Sequence, residues 1–175
     1  MKRPKSTRAT ASIEEFMVQA AAMEFEAAER YAELADAMEV HNNREVAELF
    51  RKMSTIENRH ADQVMVEMGW SELPLRPRAQ PWEGAESAEM VALDQQHYLM
   101  QPWHALQLAL AAEQRAERFY AHLASIANVP AVRKAALELQ DEEREHIELI
   151  GVWLKKVPAP DAHWAEDPDP PRHQG

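Results

Sequence analysis

Residues 24–35 read EFEAAERYAELA, and residues 113–124 read EQRAERFYAHLA. Both fit Glu-x-x-Ala-x-x-x-Tyr-Ala-x-Leu-Ala. The shared positions step by three and four, so glutamate, alanine, tyrosine and leucine fall on one face of a helix. That face is apolar except for its glutamate. The question the repeat raises is why an apolar stripe should carry a carboxylate twice.

Reading outward, the first stripe extends as Phe16, Ala20, Glu24, Ala27, Tyr31, Leu34 and Met38. Ser12 with Glu15 forms a capping-box pattern, so a helix is expected from about Ser12 to Val40. A second stripe runs Val46, Leu49, Phe50, Met53, Glu57, His60, Val64, Met68, with Gly69 suited to the position after the helix end. The third reads Leu106, Ala109, Glu113, Ala116, Tyr120, Leu123 from a start near Pro102. The fourth reads Val132, Ala135, Leu139, Glu143, His146, Ile150, Trp153 from Pro130, a favoured first helical residue. Prolines punctuate the same plan: none stands between Pro4 and Pro74, or between Pro102 and Pro130.

The chain thus reads as all-α, with two pseudo-repeated hairpins at 12–69 and 102–157. Short turns make the helices of each hairpin antiparallel neighbours. The segment 70–101 is long enough to cross a helix of ~40 Å and start the third helix parallel to the second. Residues 86–97 could add a short helix there, and Trp70, Trp82 and Trp103 are expected to pin the crossover to the bundle. Residues 1–11 read as a basic tail and 158–175 as a Pro-rich, polar, mobile one.

Composition narrows the function. The chain has 175 residues, 46% of them hydrophobic, four glycines and a formal net charge of −11. Acidity argues against a general nucleic-acid role. No apolar run approaches the ~20 residues of a membrane span, and no secretory signal pattern is present. The absence of cysteine removes disulfides, thiol catalysis and Cys-ligated metal. A cytoplasmic location is the expectation.

The second and fourth stripes carry ENRH (57–60) and EREH (143–146), each a Glu-x-x-His. One such motif is weak, since glutamate is abundant, and Asp94-x-x-His97 is a chance near-copy. Placement strengthens the signal. Glu24, Glu57, His60, Glu113, Glu143 and His146 all lie on stripes meant for the core, at similar heights in the two hairpins. Buried unpaired carboxylates cost several kcal/mol each, so four together call for cations.

A glutamate from each of two helices and Glu-x-x-His from each of the other two is the constellation of ferritin-like di-iron carboxylate proteins. Over residues 12–156 the chain resembles that family, rubrerythrin and bacterioferritin above all. The resemblance implies a ferritin-like four-helix bundle with a long crossover between helices 2 and 3. It implies two iron ions, with Mn, mixed Fe/Mn or Zn as alternatives. Glu24 and Glu113 would each hold one metal, Glu57 and Glu143 would bridge as the catalytic carboxylates, and His60 and His146 would cap one metal each. Tyr31 and Tyr120 would hydrogen-bond the carboxylates. Four glutamates match the charge of two Fe²⁺, so the reduced site is neutral and can be buried.

The implied activity is peroxidase or ferroxidase chemistry: reduction of hydrogen peroxide or O₂ with an external electron donor. Iron handling without a reductase cycle is the alternative, and a helical scaffold with a structural metal is a third reading. Typical rubrerythrins carry a four-cysteine rubredoxin domain and an extra glutamate one turn after the helix 3 ligand. This sequence has no cysteine, and Ala116 stands at that position, with Glu117 about 100° further round. The Pro-rich tail in place of a fifth helix points to a homodimer rather than a ferritin shell. The histidines His41, His97, His104, His122, His163 and His173 carry no assigned role.

Overall fold

The computed structural model describes residues 12–74, 98–166 and 168. Residues 1–11, Trp82, Asp94, His97, the expected short helix at 86–97 and, in the Pro-rich tail, 167 and 169–175 lie outside the described residues.

Among the described residues four helices form and no strand: α1 Ile13–Val40, α2 Arg44–Met68, α3 Pro102–Ile126 and α4 Pro130–Leu154. Their ends are set by local chemistry. Ser12 and Glu15 exchange side-chain-to-backbone hydrogen bonds across the first turn of α1. Gly69 ends α2 in the left-handed conformation, φ 68°. Asn42, in the turn between α1 and α2, is the one described non-glycine residue with positive φ, at 58°, a conformation asparagine tolerates. Prolines open both α3 and α4.

The hairpins α1/α2 and α3/α4 pack tightly within themselves. Between them the nearer approaches are α2 with α3 and α1 with α4. Direction follows from the ends. Asn43 Nδ2, at the start of α2, donates to the Met100 carbonyl just before α3. The rings of His41 and Tyr98 lie 5.2 Å apart at that same end. So α2 and α3 start together and run parallel, as the long connection requires.

Two apolar clusters fill the bundle. One end gathers Phe16, Met17 and Ala20 of α1 with Leu123 and Ala124 of α3 and Val132 and Leu139 of α4. The other gathers Leu34 and Met38 of α1, Val46, Phe50 and Met53 of α2, Leu106 of α3 and Ile150 of α4. Alanine dominates the contact faces, Ala20, Ala21, Ala27 and Ala28 on α1 among them, and lets backbones approach closely. From Phe16 to Glu24 every residue of α1 is buried, so this half of the helix is covered on all sides. Large-to-small change at a site such as Leu34 would cost about 2–5 kcal/mol.

The C-terminal segment departs from the expected mobile tail where it is described. The Asp161 N–H donates to Gln101 Oε1, 3.1 Å, and the Trp164 ring stands 3.9 Å from that of His104. Trp164 packs against the second apolar cluster. A tryptophan can bury its ring there whatever the polarity of its neighbours, which composition alone does not reveal. Of the crossover tryptophans, Trp70 packs against the first cluster.

Candidate metal centre

Between the two clusters lies a polar layer. Glu24 of α1, Glu57 of α2, Glu113 of α3 and Glu143 of α4 are each 3% exposed or less, and His146 is 4% exposed. Each helix brings its carboxylate here because the glutamate occupies the inward position of an otherwise apolar stripe. The short turns then set the four at one height.

Glu57, Glu113 and His146 converge, with one ligand atom from each lying within 4.8 Å of the others. His146 Nδ1 is 2.9 Å from Glu113 Oε2, 3.7 Å from Glu57 Oε1 and 3.6 Å from Glu143 Oε2. Glu24 joins the layer beside Glu57, whose carboxyl is near enough to lower the Glu24 pKa.

The tyrosines cross between hairpins. Tyr31 of the first donates to Glu113 Oε1 of the second at 3.0 Å, and Tyr120 of the second donates to Glu24 Oε1 of the first at 3.4 Å. Both rings are fully buried. The repeat places each tyrosine seven residues after one glutamate, yet each serves the glutamate of the other repeat.

His60 sits apart. Its ring stacks on that of His146, centroids 4.5 Å apart. Its Nδ1, however, lies 3.4 Å from Glu142 Oε2, at the edge of the layer. Glu142 has no place in the sequence-based site, because it falls one residue off the stripe, where a carboxylate reads as solvent-facing. Glu117 is turned away, accepting from Gln140 Nε2 at 2.6 Å, while Ala116 is fully buried.

Burial governs the protonation of the layer. Desolvation pushes Glu24 up to about 7, against the opposing hydrogen bond to Glu57 and the charge of His146. Burial alone would raise Glu113 too. Hydrogen bonds with the His146 ring, with Glu143 and from Tyr31 hold it below the usual carboxylate range. Burial would lower His146, but Glu113 and the charges of Glu24 and Glu142 raise it. Desolvation and the neighbouring His146 bring His60 down to about 4. Protons on Glu24 and His146 therefore offset part of the carboxylate charge.

This donor set fits a metal. Glu24 Oε2 is buried with no hydrogen-bond partner, an arrangement tolerated when a proton or a cation reaches it. Carboxylate oxygens with imidazole nitrogen suit Fe, Mn or Zn.

The family model described as Rubrerythrin matches residues 15–101 and 104–163. The crystal structure of an uncharacterized conserved protein from Magnetospirillum magnetotacticum MS-1 is similar, with 34% sequence identity and a TM-score of 0.65. That match covers 86% of this chain and 99% of the other. None of the curated proteins matches the chain. With a family match over most of its length and a buried Glu/His layer between its helices, the chain belongs to the rubrerythrin family.

Proposed function

We propose that the chain is a non-haem di-iron oxidoreductase that reduces hydrogen peroxide with electrons from a separate donor. The observation that carries this reading is the layer of four buried glutamates with His146 at its centre. Glu24 and Glu113 would each hold one metal, Glu57 and Glu143 would lie between the two, and His60 and His146 would complete the set. When bound, two iron ions supply the two electrons that convert one hydrogen peroxide and two protons into two waters.

The chain's own residues prepare that chemistry. Tyr31 and Tyr120 fix the rotamers of Glu113 and Glu24 by donating to one oxygen of each, leaving the other oxygen for the metal. The apolar clusters above and below keep bulk water from the layer and strengthen its electrostatics. Loading requires Glu24 and His146 to give up protons to solvent, so affinity rises with pH. No cysteine in the sequence can hold a rubredoxin-type iron, so a separate donor supplies the electrons.

Fe²⁺ oxidation for iron handling is the second reading. It is favoured by Ala116, which fills with a methyl group the position where rubrerythrins carry a further glutamate. Stopped-flow mixing of the anaerobic Fe²⁺ protein with each oxidant separates the two. Faster oxidation by peroxide than by dioxygen at matched concentration is expected, and the reverse order moves the assignment to ferroxidase chemistry. Iron analysis after reconstitution should give two per chain.

A further inference from the structure

Where α3 begins, away from the metal layer, a set of polar and aromatic contacts fastens the C-terminal segment to the bundle. Beyond α4, Val157 packs against the second apolar cluster, and Pro158 and Pro160 stiffen the path that follows. The Trp164 N–H donates to the Asp161 carbonyl at 3.2 Å and closes a turn. Two contacts then tie this strap to the first turn of α3. The Asp161 N–H donates to Gln101 Oε1 at 3.1 Å. The Trp164 ring lies over the His104 imidazole, centroids 3.9 Å apart and planes inclined by 33°. Trp103 meets the same imidazole edge-on, at 5.3 Å. Gln101 and His104 are themselves joined, because the Gln101 N–H donates to His104 Nδ1 at 3.1 Å.

That last bond fixes the state of the ring. A ring nitrogen that accepts an N–H carries no proton, so His104 is neutral with its proton on Nε2. We propose that residues 158–166 form a pH-sensitive latch on the start of α3, closed while His104 is neutral and released when the ring takes up a second proton. Protonation sets N–H against N–H at Nδ1 and places a positive charge at the positive end of the helix dipole. Gln101 then loses the bond that orients it, and with that the placement of its Oε1 for Asp161. Stacking on Trp164 favours a charged ring. Burial works against the charge, and it holds His104 below its ordinary 6.5 although the Gln101 backbone pulls the other way. The charged groups at this end of the bundle are Asp161, His163 and Glu166 of the strap, Lys155 and Lys156 after α4, and His41 and Arg44 at the α1–α2 turn. Asp161 and Glu166 are turned to His163, accepting from its N–H at 2.9 Å and meeting its Nδ1 at 2.7 Å. The latch is therefore fully held above 6.5 and is lost as pH falls through the lowered His104 value. Opening withdraws Trp164 from the second apolar cluster.

The test labels the full chain with 5-fluorotryptophan and follows it by ¹⁹F NMR from pH 8 into mild acid, with Zn²⁺ present throughout. Trp164→Phe assigns the Trp164 signal. At pH 8 that signal should not respond to exchange of H₂O for D₂O. On acidification it should become responsive, with a midpoint below 6.5 that coincides with the titration of the His104 ring followed by ¹⁵N NMR. Trp70, packed against the other apolar cluster, should not change over the same range. His104→Gln keeps an acceptor for the Gln101 N–H but does not titrate, so its latch should stay closed in acid. His163→Gln removes the other histidine of the strap and should leave the transition where it was. A Trp164 signal already open to solvent at pH 8, or one that never opens, overturns the proposal. So does a midpoint that departs from that of His104, a transition that survives His104→Gln or vanishes in His163→Gln, or one that Trp70 shares.

Discussion

Replacing Glu24 by glutamine should stabilise the metal-free protein in alkali and leave its stability near pH 4.5 almost unchanged. An unfolded glutamate loses its proton near 4.5, whereas buried Glu24 keeps its proton until about 7. Between those pH values the folded state holds the extra proton. The stabilisation from this group is thus fully present below 4.5 and is lost as pH rises through about 7. The gap corresponds to about 3 kcal/mol. Glutamine has nearly the same shape, its carbonyl can accept from Tyr120, and its amide can donate to Glu57 without a titrating proton. At pH 8 the metal-free variant should therefore exceed metal-free wild type by up to about 3 kcal/mol. His60, held down to about 4, works in the opposite sense. Its contribution is present above 6.5 and is lost as pH falls toward 4. It is common to both proteins, so the difference between them isolates Glu24. Urea denaturation of EDTA-treated protein at pH 5 and pH 8 measures that difference. A Glu24→Gln effect of equal size at both pH values would refute the assignment of a raised, buried carboxyl.

Three further outcomes are expected. Tyr31→Phe should cost the metal-free protein about 1–2 kcal/mol in urea denaturation, and Tyr120→Phe less, because the Tyr31 hydrogen bond is 3.0 Å and the Tyr120 one 3.4 Å. Gly69→Ala should cost about 1 kcal/mol, read as a lower Tm, although the added methyl meets nothing within 4 Å; the cost is the backbone at φ 68°. Metal removal should lower Tm at pH 7 and the gap should narrow in mild acid, where the carboxylates take protons in place of metal and the ligands lose affinity; equal Tm values at pH 7 would count against a buried site.

Helix ends and core stripes were legible because each rests on local chemistry: Ser12 with Glu15, Gly69, Pro102, Pro130, and the three-four spacing of apolar residues. The layer was legible because Glu24, Glu57, Glu113, Glu143 and His146 break apolar stripes, and a broken stripe has a cost that needs a cause. What one chain's spacing does not carry is which hairpin a side chain reaches. Tyr31 and Tyr120 follow Glu24 and Glu113 by seven residues, but their hydroxyls extend across the bundle axis and meet the opposite glutamates. His60 shows a second limit. Its place on the α2 stripe follows from sequence, but its ring stands at the edge of the layer, stacked on His146 and 3.4 Å from Glu142, a residue of another helix that lies off every stripe. Trp164 shows a third: one aromatic ring in a polar segment is enough to dock it.

The crossed tyrosines bear on how the site holds together. Within each hairpin the helices make a broad contact, whereas backbone approaches between hairpins are sparser. The carboxylate layer lies at that sparser seam. Its hydrogen bonds from Tyr31 to Glu113 and from Tyr120 to Glu24 span that seam. Glu113 is complete only when the first hairpin supplies Tyr31, and Glu24 only when the second supplies Tyr120. Glu113 Oε2 meets His146 within its own hairpin, but its Oε1 is reached only from the other. Docking of the hairpins and assembly of the layer are therefore one event, and whatever neutralises the four glutamates, protons or metal, also tightens the seam on which the bundle depends.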